Sequence, residues 1–100
     1  MEFHFSDNDS RVELKGQLTY PEHPVFRIAA TRLLNSPNPK AMVIDLQGVD
    51  FIDSAGLGML LIARTEAAGS NRKLILRRPV GQVKRMFEIS QFDTLFTIEA

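Results

Sequence analysis

The residues with the clearest chemical potential lie in one short segment near the middle of the chain. Asp50, Asp53 and Ser54 place two carboxyl groups beside a hydroxyl, just before an apolar stretch that begins at Met59. A hydroxyl at the first turn of a helix lies at the positive end of the helix dipole, which favours an anion. A phosphoryl group on Ser54 would therefore be well placed. It would add about −1.5 to −2 units of charge beside two carboxylates, which a docked partner would sense strongly.

The same serine also has a purely structural interpretation. Serine is a preferred N-cap residue, because its hydroxyl accepts a hydrogen bond from a backbone N–H group that the first turn leaves unpaired. Asp53, however, offers a capping side chain of its own, and Gly56 and Gly58 keep the first turn bare. From the residues alone, Ser54 is either a helix cap or a hydroxyl that is modified.

Other chemical patterns in the chain are weak. His4 and His23 lie far from Ser54 in sequence, so a Ser-His-Asp set would depend on folding alone. Gly56 and Gly58 lack the lysine and the spacing of a phosphate-binding loop. Two histidines and no cysteine give no metal-ligand spacing. We therefore predict no catalytic residue, no metal and no cofactor.

Length and composition set further bounds. A chain of 100 residues, 44% of them hydrophobic, predicts one small domain over residues 1–100. Twelve basic residues balance twelve acidic ones, which gives no electrostatic case for nucleic acid or an anionic membrane. No segment approaches the roughly 20 apolar residues of a membrane span, and the N-terminus lacks the features of a signal peptide. We expect a cytoplasmic protein.

The elements that position the Ser54 segment follow from the periodicity of apolar residues. The first two predicted strands alternate and form an antiparallel hairpin, with Gly16 at a bulge. The third is a short apolar run typical of a central strand covered on both faces; Gln47 and Gly48 end it, and a loop leads to Ser54. The predicted strands are 2–5, 11–18, 41–46, 74–76 and 97–98.

Three helices are predicted between these strands, which gives the order β-β-α-β-α-β-α-β and an α/β fold with a mixed sheet. Thr19 is expected to cap the start of the first helical region, and Gly69 is expected to end the second helix. A break is predicted over 35–39. The predicted helices are 25–34, 54–68 and 79–89, with buried faces formed by Phe26, Ala29, Ala30 and Leu33 in the first and by Val80, Val83 and Phe87 in the third. Phe92, Leu95 and Phe96 are predicted to close the base of the core.

The second predicted helix has more apolar residues than one buried stripe requires. Met59 through Ala63 are consecutive apolar residues, which indicates either burial on two sides or a surface that binds a partner. The helical wheel leaves open whether Met59 or Ile62 faces outward.

The two halves of the central segment together resemble a known signature. Val43-Ile44-Asp45-Leu46, followed by Phe51-Ile52-Asp53-Ser54-Ala55-Gly56-Leu57-Gly58, is similar to the signature of STAS domains and, more narrowly, of bacterial anti-sigma factor antagonists. The resemblance covers essentially the whole chain. It implies a STAS domain with its helices on one face of the sheet, and a non-enzymatic protein that regulates transcription by partner switching.

The resemblance also implies partners and a site. Ser54 matches the serine that a kinase phosphorylates in this family, the kinase often being the anti-sigma factor itself, and a serine phosphatase reverses the modification. The alternative is a constitutive STAS scaffold, such as an accessory subunit of a transporter or signalling complex, in which Ser54 is only a helix cap. The implied partner-binding surface comprises Asp50, Asp53, Ser54, Ala55, Gly56, Leu57, Gly58, Met59 and Ile62.

Two positions depart from the family pattern. Thr19 or Tyr20 occupies the region where many antagonists carry an aspartate, which concerns how a kinase recognises the site. Ala55 follows Ser54 where serine or threonine is common, which removes one ambiguity over the phosphate acceptor.

Overall fold

A five-stranded mixed sheet organises the fold. In the computed structural model, which describes residues 1–37 and 41–100, the strands lie side by side in chain order. The first two strands are antiparallel, and the second to the fifth are parallel neighbours. The strands are β1 (Glu2–Ser6), β2 (Arg11–Leu18), β3 (Ala41–Ile52), β4 (Lys73–Arg77) and β5 (Thr97–Glu99). The predicted hairpin and the predicted bulge near Gly16 are confirmed.

Three helices connect the parallel strands, so the predicted α/β class and element order are confirmed. They are α1 (His23–Leu34), α2 (Ser54–Gly69) and α3 (Gly81–Ile89). Asn35 follows α1 as predicted, whereas residues 38 and 39 of the predicted break lie outside the described part of the chain. Within the described residues, no helix has the length and apolar character needed to cross a membrane.

All three helices cover the same face of the sheet. The strand register places Val12, Ile44 and Leu76 side by side, and each is at most 2% exposed. Because side chains alternate along a strand, these residues share one face. Most buried residues of the helices, including Phe26 and Phe87, belong to the same hydrophobic cluster. The core therefore lies between this face and the helices, as the family resemblance implies, and β3 is not covered by helices on both faces.

The opposite face of the sheet carries a buried carboxylate. Asp45 is only 2% exposed, and its Oδ2 accepts hydrogen bonds from Nη2 of Arg11 and Nε of Arg78, both at 3.1 Å. Its Oδ1 accepts from the backbone N–H of Gln47 at 3.0 Å. Burial alone would raise the pKa of Asp45, but the bonds from both arginines and from Gln47 prevail and hold that pKa below its ordinary value.

β3 is longer than the sequence predicts. It runs to Ile52 instead of ending at Gln47 and Gly48, so the predicted loop before Ser54 is wrong. Gly48 acts here as a site of close approach between strands, because a Cβ on it would lie 2.8 Å from the carbonyl oxygen of Leu14. The register between β2 and β3 shifts at this point, and the strand then continues.

Of two predicted helix ends, the cap by Thr19 is wrong and the end of α2 at Gly69 is confirmed. Thr19 precedes a single 3-10 turn, Tyr20–Glu22, and its side chain makes no capping hydrogen bond. Gly69 is the last residue of α2, and the left-handed residue that follows is Asn71, at φ +56°. Asparagine adopts this region more readily than most residues with a side chain, which explains why Gly69 is not needed for it.

The end of the chain differs in two further positions. α3 begins at Gly81 instead of Pro79, because Val80 is extended and 43% exposed. Leu95 is 39% exposed, so its predicted core position is wrong. Phe92 and Phe96 do close the core, with ring centroids 5.1 Å apart.

Replacing Asp45 with asparagine should remove the charge that both arginines bind. Arg11 and Arg78 are partly exposed, so water can solvate their charges once the carboxylate is gone. We therefore expect the free energy of unfolding at pH 7 to fall by about 2 kcal/mol, the scale of a lost hydrogen bond to a charged group. Because the folded-state pKa of Asp45 is depressed, its stabilising contribution is present above the unfolded pKa and is lost as pH falls through the folded pKa. The variant should lack that part of the acid dependence.

Urea unfolding at pH 7 and at steps down to pH 3 measures both effects. Asp9→Asn is the matched control, because Asp9 pairs with Arg32 at the surface and should contribute little. An Asp45→Asn variant with the stability and acid dependence of the parent protein would contradict this account of the sheet.

Candidate functional site

Ser54 is the first residue of α2, directly after the end of β3, and its side chain is exposed. The N-cap is the preceding residue, Asp53, which has extended backbone angles and whose Oδ1 accepts from the N–H of Gly56 at 2.8 Å. Among the described residues, the Ser54 hydroxyl has no hydrogen-bond partner. The interpretation of Ser54 as a helix cap is therefore wrong, and its hydroxyl is left for other chemistry.

Asp53 also fixes the position of its neighbours. Its Oδ2 accepts from the backbone N–H of Tyr20 at 3.1 Å, and its own N–H donates to the carbonyl oxygen of Leu18 at 3.4 Å. One side chain thus joins the turn after β2 to the first turn of α2. Both carboxylate oxygens of Asp53 are hydrogen-bonded, so this side chain fixes the backbone at the start of α2. The role of Asp53 in this geometry is therefore to orient Ser54, the next residue.

The packing of α2 requires glycine at position 56 but not at position 58. A Cβ on Gly56 would lie 2.1 Å from the carbonyl oxygen of Leu18 and 2.7 Å from Cγ1 of Ile52, so α2 can pack on the strand ends only with glycine there. A Cβ on Gly58 would meet no atom within 4 Å. Nothing in the fold therefore requires Gly58, although glycine inside a helix is unfavourable.

The exposed side of α2 begins at Ser54. Gly58 and Ile62 follow at one-turn intervals and therefore lie near the same side of the helix as Ser54. Ile62 is 52% exposed, whereas Met59 is 4% exposed and packs in the core. The structure thus answers the open question about α2, because Ile62 faces outward and Met59 faces inward.

The predicted partner-binding residues divide into two groups. Gly56, Leu57 and Met59 are buried, so they support the surface from beneath and are not part of it, which corrects the prediction for these three. The remainder are exposed or half-buried. This second group, which we call the Ser54 surface, consists of Asp50, Asp53, Ser54, Ala55, Gly58 and Ile62.

Two aromatic side chains near the Ser54 surface were not predicted as part of it. Tyr20 is 74% exposed and is joined through its backbone to Asp53, and Phe51 is 42% exposed three residues before Ser54. The alternation of apolar and polar residues along a strand does not identify such residues. At the end of β3 buried and exposed side chains no longer alternate, and this is visible only in the structure.

The chain segment that contains Ser54 carries only negatively charged side chains. Residues 41–63 contain no lysine or arginine, whereas Asp50 and Asp53 shortly precede the hydroxyl. The nearest cation along α2 is Arg64, and it donates to the carbonyl oxygen of Leu95. A phosphoryl group on Ser54 would have the helix N-terminus beside it but no basic side chain within its own segment.

One further contact to this segment comes from α3, and sequence reasoning missed it. Oε1 of Gln82 accepts from the N–H of Ile52, and Nε2 of Gln82 donates to the carbonyl oxygen of Ile52, both at 2.9 Å. A glutamine in the first turn of a helix has no sequence signal that distinguishes this role from a solvated side chain.

A large concave surface lies away from Ser54. It is a groove of about 770 Å³ between the end of β4, α3 and the last strand, and it contains none of the predicted site residues. Within residues 1–37 and 41–100, no group of three or more His, Asp or Glu side chains is arranged to hold a metal ion. Neither the groove nor a metal-binding group therefore coincides with the Ser54 surface within these residues.

Comparison with known sequences covers almost all of the chain. A family model described as "Mlab, STAS domain" matches residues 1–98. A STAS-domain containing protein of Pseudomonas aeruginosa is 33% identical over 87 residues, which is 87% of this chain and 84% of that relative.

Solved structures of similar fold have low sequence identity to this chain. A candidate anti-sigma factor antagonist from Thermotoga maritima matches with a TM-score of 0.79 and 22% identity, over 99% of this chain and 85% of that one. The antagonist from Mycobacterium paratuberculosis gives 0.78 and 23%, over 98% and 84%. The antagonist SpoIIAA, in its unphosphorylated form, gives 0.71 and 17%, over 99% and 86%. Identities this low establish likeness of fold alone.

The identity of the helix cap can be tested with a pair of alanine variants. Asp53→Ala removes the cap and the bond to Tyr20, so we expect the free energy of unfolding to fall by about 1 kcal/mol or more. Ser54→Ala removes an exposed hydroxyl with no partner and should stay within about 0.5 kcal/mol of the parent protein. Urea unfolding of both variants measures the difference, and equal losses would contradict the assignment of Asp53 as the cap.

Proposed function

Because this chain belongs to the STAS domain family, we propose that it is a non-catalytic regulatory protein of the cytoplasm that acts as an anti-sigma factor antagonist. With Ser54 unmodified, the Ser54 surface docks on an anti-sigma factor that is also a serine kinase, and it thereby frees the regulator which that partner holds. Phosphorylation of Ser54 by the same partner ends the docking. A serine phosphatase restores the unmodified form.

The observation that carries this proposal is the exposed hydroxyl of Ser54 at the first residue of α2, which has no hydrogen-bond partner among residues 1–37 and 41–100. Asp53 already supplies the cap, so the fold gains nothing evident from a hydroxyl at the next position. Ser54 is also the one hydroxyl-bearing residue in the segment 41–63. A kinase that docks here therefore meets a single acceptor within the segment 41–63.

The negative charge of the segment 41–63 supports a switch in which phosphorylation of Ser54 weakens the binding of the partner. A phosphoryl group would bring about −1.5 to −2 units of charge to a segment without a basic residue. An interface formed around a neutral hydroxyl and the apolar Ile62 would have to desolvate that charge without pairing it, which is costly. A penalty of about 3 kcal/mol changes affinity by about a hundredfold, which is sufficient for a switch.

Gly58 supports close contact with a partner. Glycine in a helix interior costs about 0.5–1 kcal/mol relative to alanine. The space above Gly58 is open, so packing within the chain does not account for that cost. A partner that approaches the α2 backbone between Ser54 and Ile62 would account for it.

Intact-mass measurement of the protein purified from the cells that encode it is the direct test of the modification. We expect a fraction of molecules to carry the mass of one phosphoryl group, and fragmentation should place that group on Ser54. The Ser54→Ala variant, expressed in the same cells, should carry none. Phosphate on another residue, or no phosphate under any of several growth conditions, would contradict the proposal.

Capture experiments with Ser54→Ala and Ser54→Asp separate the switch from the constitutive scaffold. A serine kinase that the alanine form retains and the aspartate form releases, with about a hundredfold lower affinity, is the expected result. Equal retention of the same protein by both variants would favour the scaffold.

Gly58→Ala should separate stability from binding. The added methyl group meets no atom of this chain, so we expect the free energy of unfolding to rise by about 0.5–1 kcal/mol. The same methyl group should obstruct the partner and weaken its binding by about tenfold, as measured by calorimetry with the captured kinase. Gly69→Ala is the matched control, because Gly69 lies in open space at the far end of α2. Unchanged affinity in Gly58→Ala would exclude close approach at this point.

A further inference from the structure

We propose that Gln82 is a positioning residue for Ser54, holding the end of β3 in the conformation that the kinase recognises. This inference rests on the proposed function, since it specifies how the same site is presented. It assigns to α3, which carries none of the predicted site residues, a direct part in the activity of the Ser54 surface.

The need for such a residue follows from the unequal lengths of β3 and β4. The last pair between the two strands joins Asp45 to Arg77. β3 continues for seven residues beyond that pair, to Ile52, and β4 offers these residues no partner. Ile52 is fully buried, so its backbone N–H and C=O groups on this side cannot bond to water.

The side-chain amide of Gln82 forms the hydrogen bonds with Ile52 that a neighbouring strand would otherwise form. It presents an acceptor to the N–H of Ile52 and a donor to the C=O of the same residue, both at 2.9 Å. An amide is the neutral side-chain group that offers a donor and an acceptor side by side in this way. Gln82 thus closes the hydrogen-bonding edge of β3 two residues before Ser54.

The other restraints on this segment come from the opposite side. Asp53 donates to Leu18 and accepts from Tyr20, so β2 and the turn after it hold that side. Gln82 holds the side that faces α3. Loss of the Gln82 bonds would leave Ser54 attached to a segment restrained from one direction, and a kinase would have to order that segment on binding.

Gln82→Glu is the sharpest variant, because its effect depends on pH. An ionised carboxylate still accepts from the N–H of Ile52 but meets the carbonyl oxygen with a second acceptor. A protonated carboxyl group has both a donor and an acceptor and restores both bonds. We expect the amide of Ile52 to exchange hydrogen at least tenfold faster in the variant than in the parent protein at pH 7. The ratio of the two rates should return toward one as pH falls through the pKa of the new carboxyl group.

Expressing the result as a ratio removes effects common to both proteins. Asp50 and Asp53 on the Ser54 segment and Lys84 and Arg85 on α3 are present in both, so their titration and the intrinsic pH dependence of exchange largely cancel. Gln17→Glu, at an exposed position of β2, controls for the added charge. Gln82→Leu, which cannot form either bond, should exchange rapidly at every pH and tests the inference if the glutamate variant does not fold.

The functional arm uses the kinase that the Ser54→Ala form retains. At pH 7 we expect Gln82→Glu to raise the KM for the protein substrate by about tenfold with little change in kcat, because the acceptor chemistry is untouched. An exchange ratio near one at pH 7, fast exchange without recovery at low pH, or an unchanged KM would each overturn the inference. A parent protein that no kinase phosphorylates would overturn the proposed function instead, and the exchange measurements would still decide whether Gln82 orders the segment.

Discussion

The extension of β3 beyond the end of β4 is the constraint on which the Ser54 site depends. A buried strand must pair its backbone groups on both sides, and β4 pairs with β3 only as far as Asp45. β2 continues to pair on one side because the glycines at 16 and 48 allow the register to shift twice. A side chain from α3 completes the other side at Ile52. The strand can therefore deliver Asp53 and Ser54 to the surface at a fixed position and still remain part of the sheet.

The uncovered face of the sheet is stabilised by ionic contacts in place of helices. Asp45 lies in the central strand, Arg11 in the neighbouring β2 and Arg78 just after β4, so one carboxylate joins three successive strands. The second carboxylate oxygen is satisfied by the N–H of Gln47, which leaves the buried group fully hydrogen-bonded. This arrangement places the strongest polar interactions of the sheet on the side away from the helices, while the apolar core forms beneath α2 and supports Ser54 from below.

The sequence was sufficient for the fold and for the position of Ser54, and the reasons are specific. Alternation in β1 and β2, and a stripe of apolar residues in α1, are local patterns that one buried face imposes directly. Asp53 before Ser54, followed by glycine and apolar residues, defines a helix start by the same local logic. The orientation of Met59 and Ile62 could not be obtained in this way, because in a helix that is apolar on nearly all sides the sequence does not distinguish the buried face from the exposed face.

The errors arise where a distant residue determines the local structure. Glycine is common in turns, yet Gly48 permits the close approach of Leu14 and so allows β3 to continue. Thr19 has the type of a cap, but the turn it begins is held through backbone bonds and through Asp53, 33 residues from Tyr20. Gln82 resembles any polar residue of a first turn, and only the gap beside β3 gives it a role. Each case requires knowledge of which strand lies beside which.

The segment 41–63 contains one hydroxyl, so the proposed switch has a single position that is modified. In that proposal each copy of the protein is either modified or unmodified at Ser54, and it cannot itself store an intermediate value. A graded response must therefore be encoded in the fraction of copies that are unmodified. For a protein that acts by stoichiometric binding, that fraction has meaning only relative to the number of partner molecules, so the abundance of the protein in the cell sets the threshold of the signal.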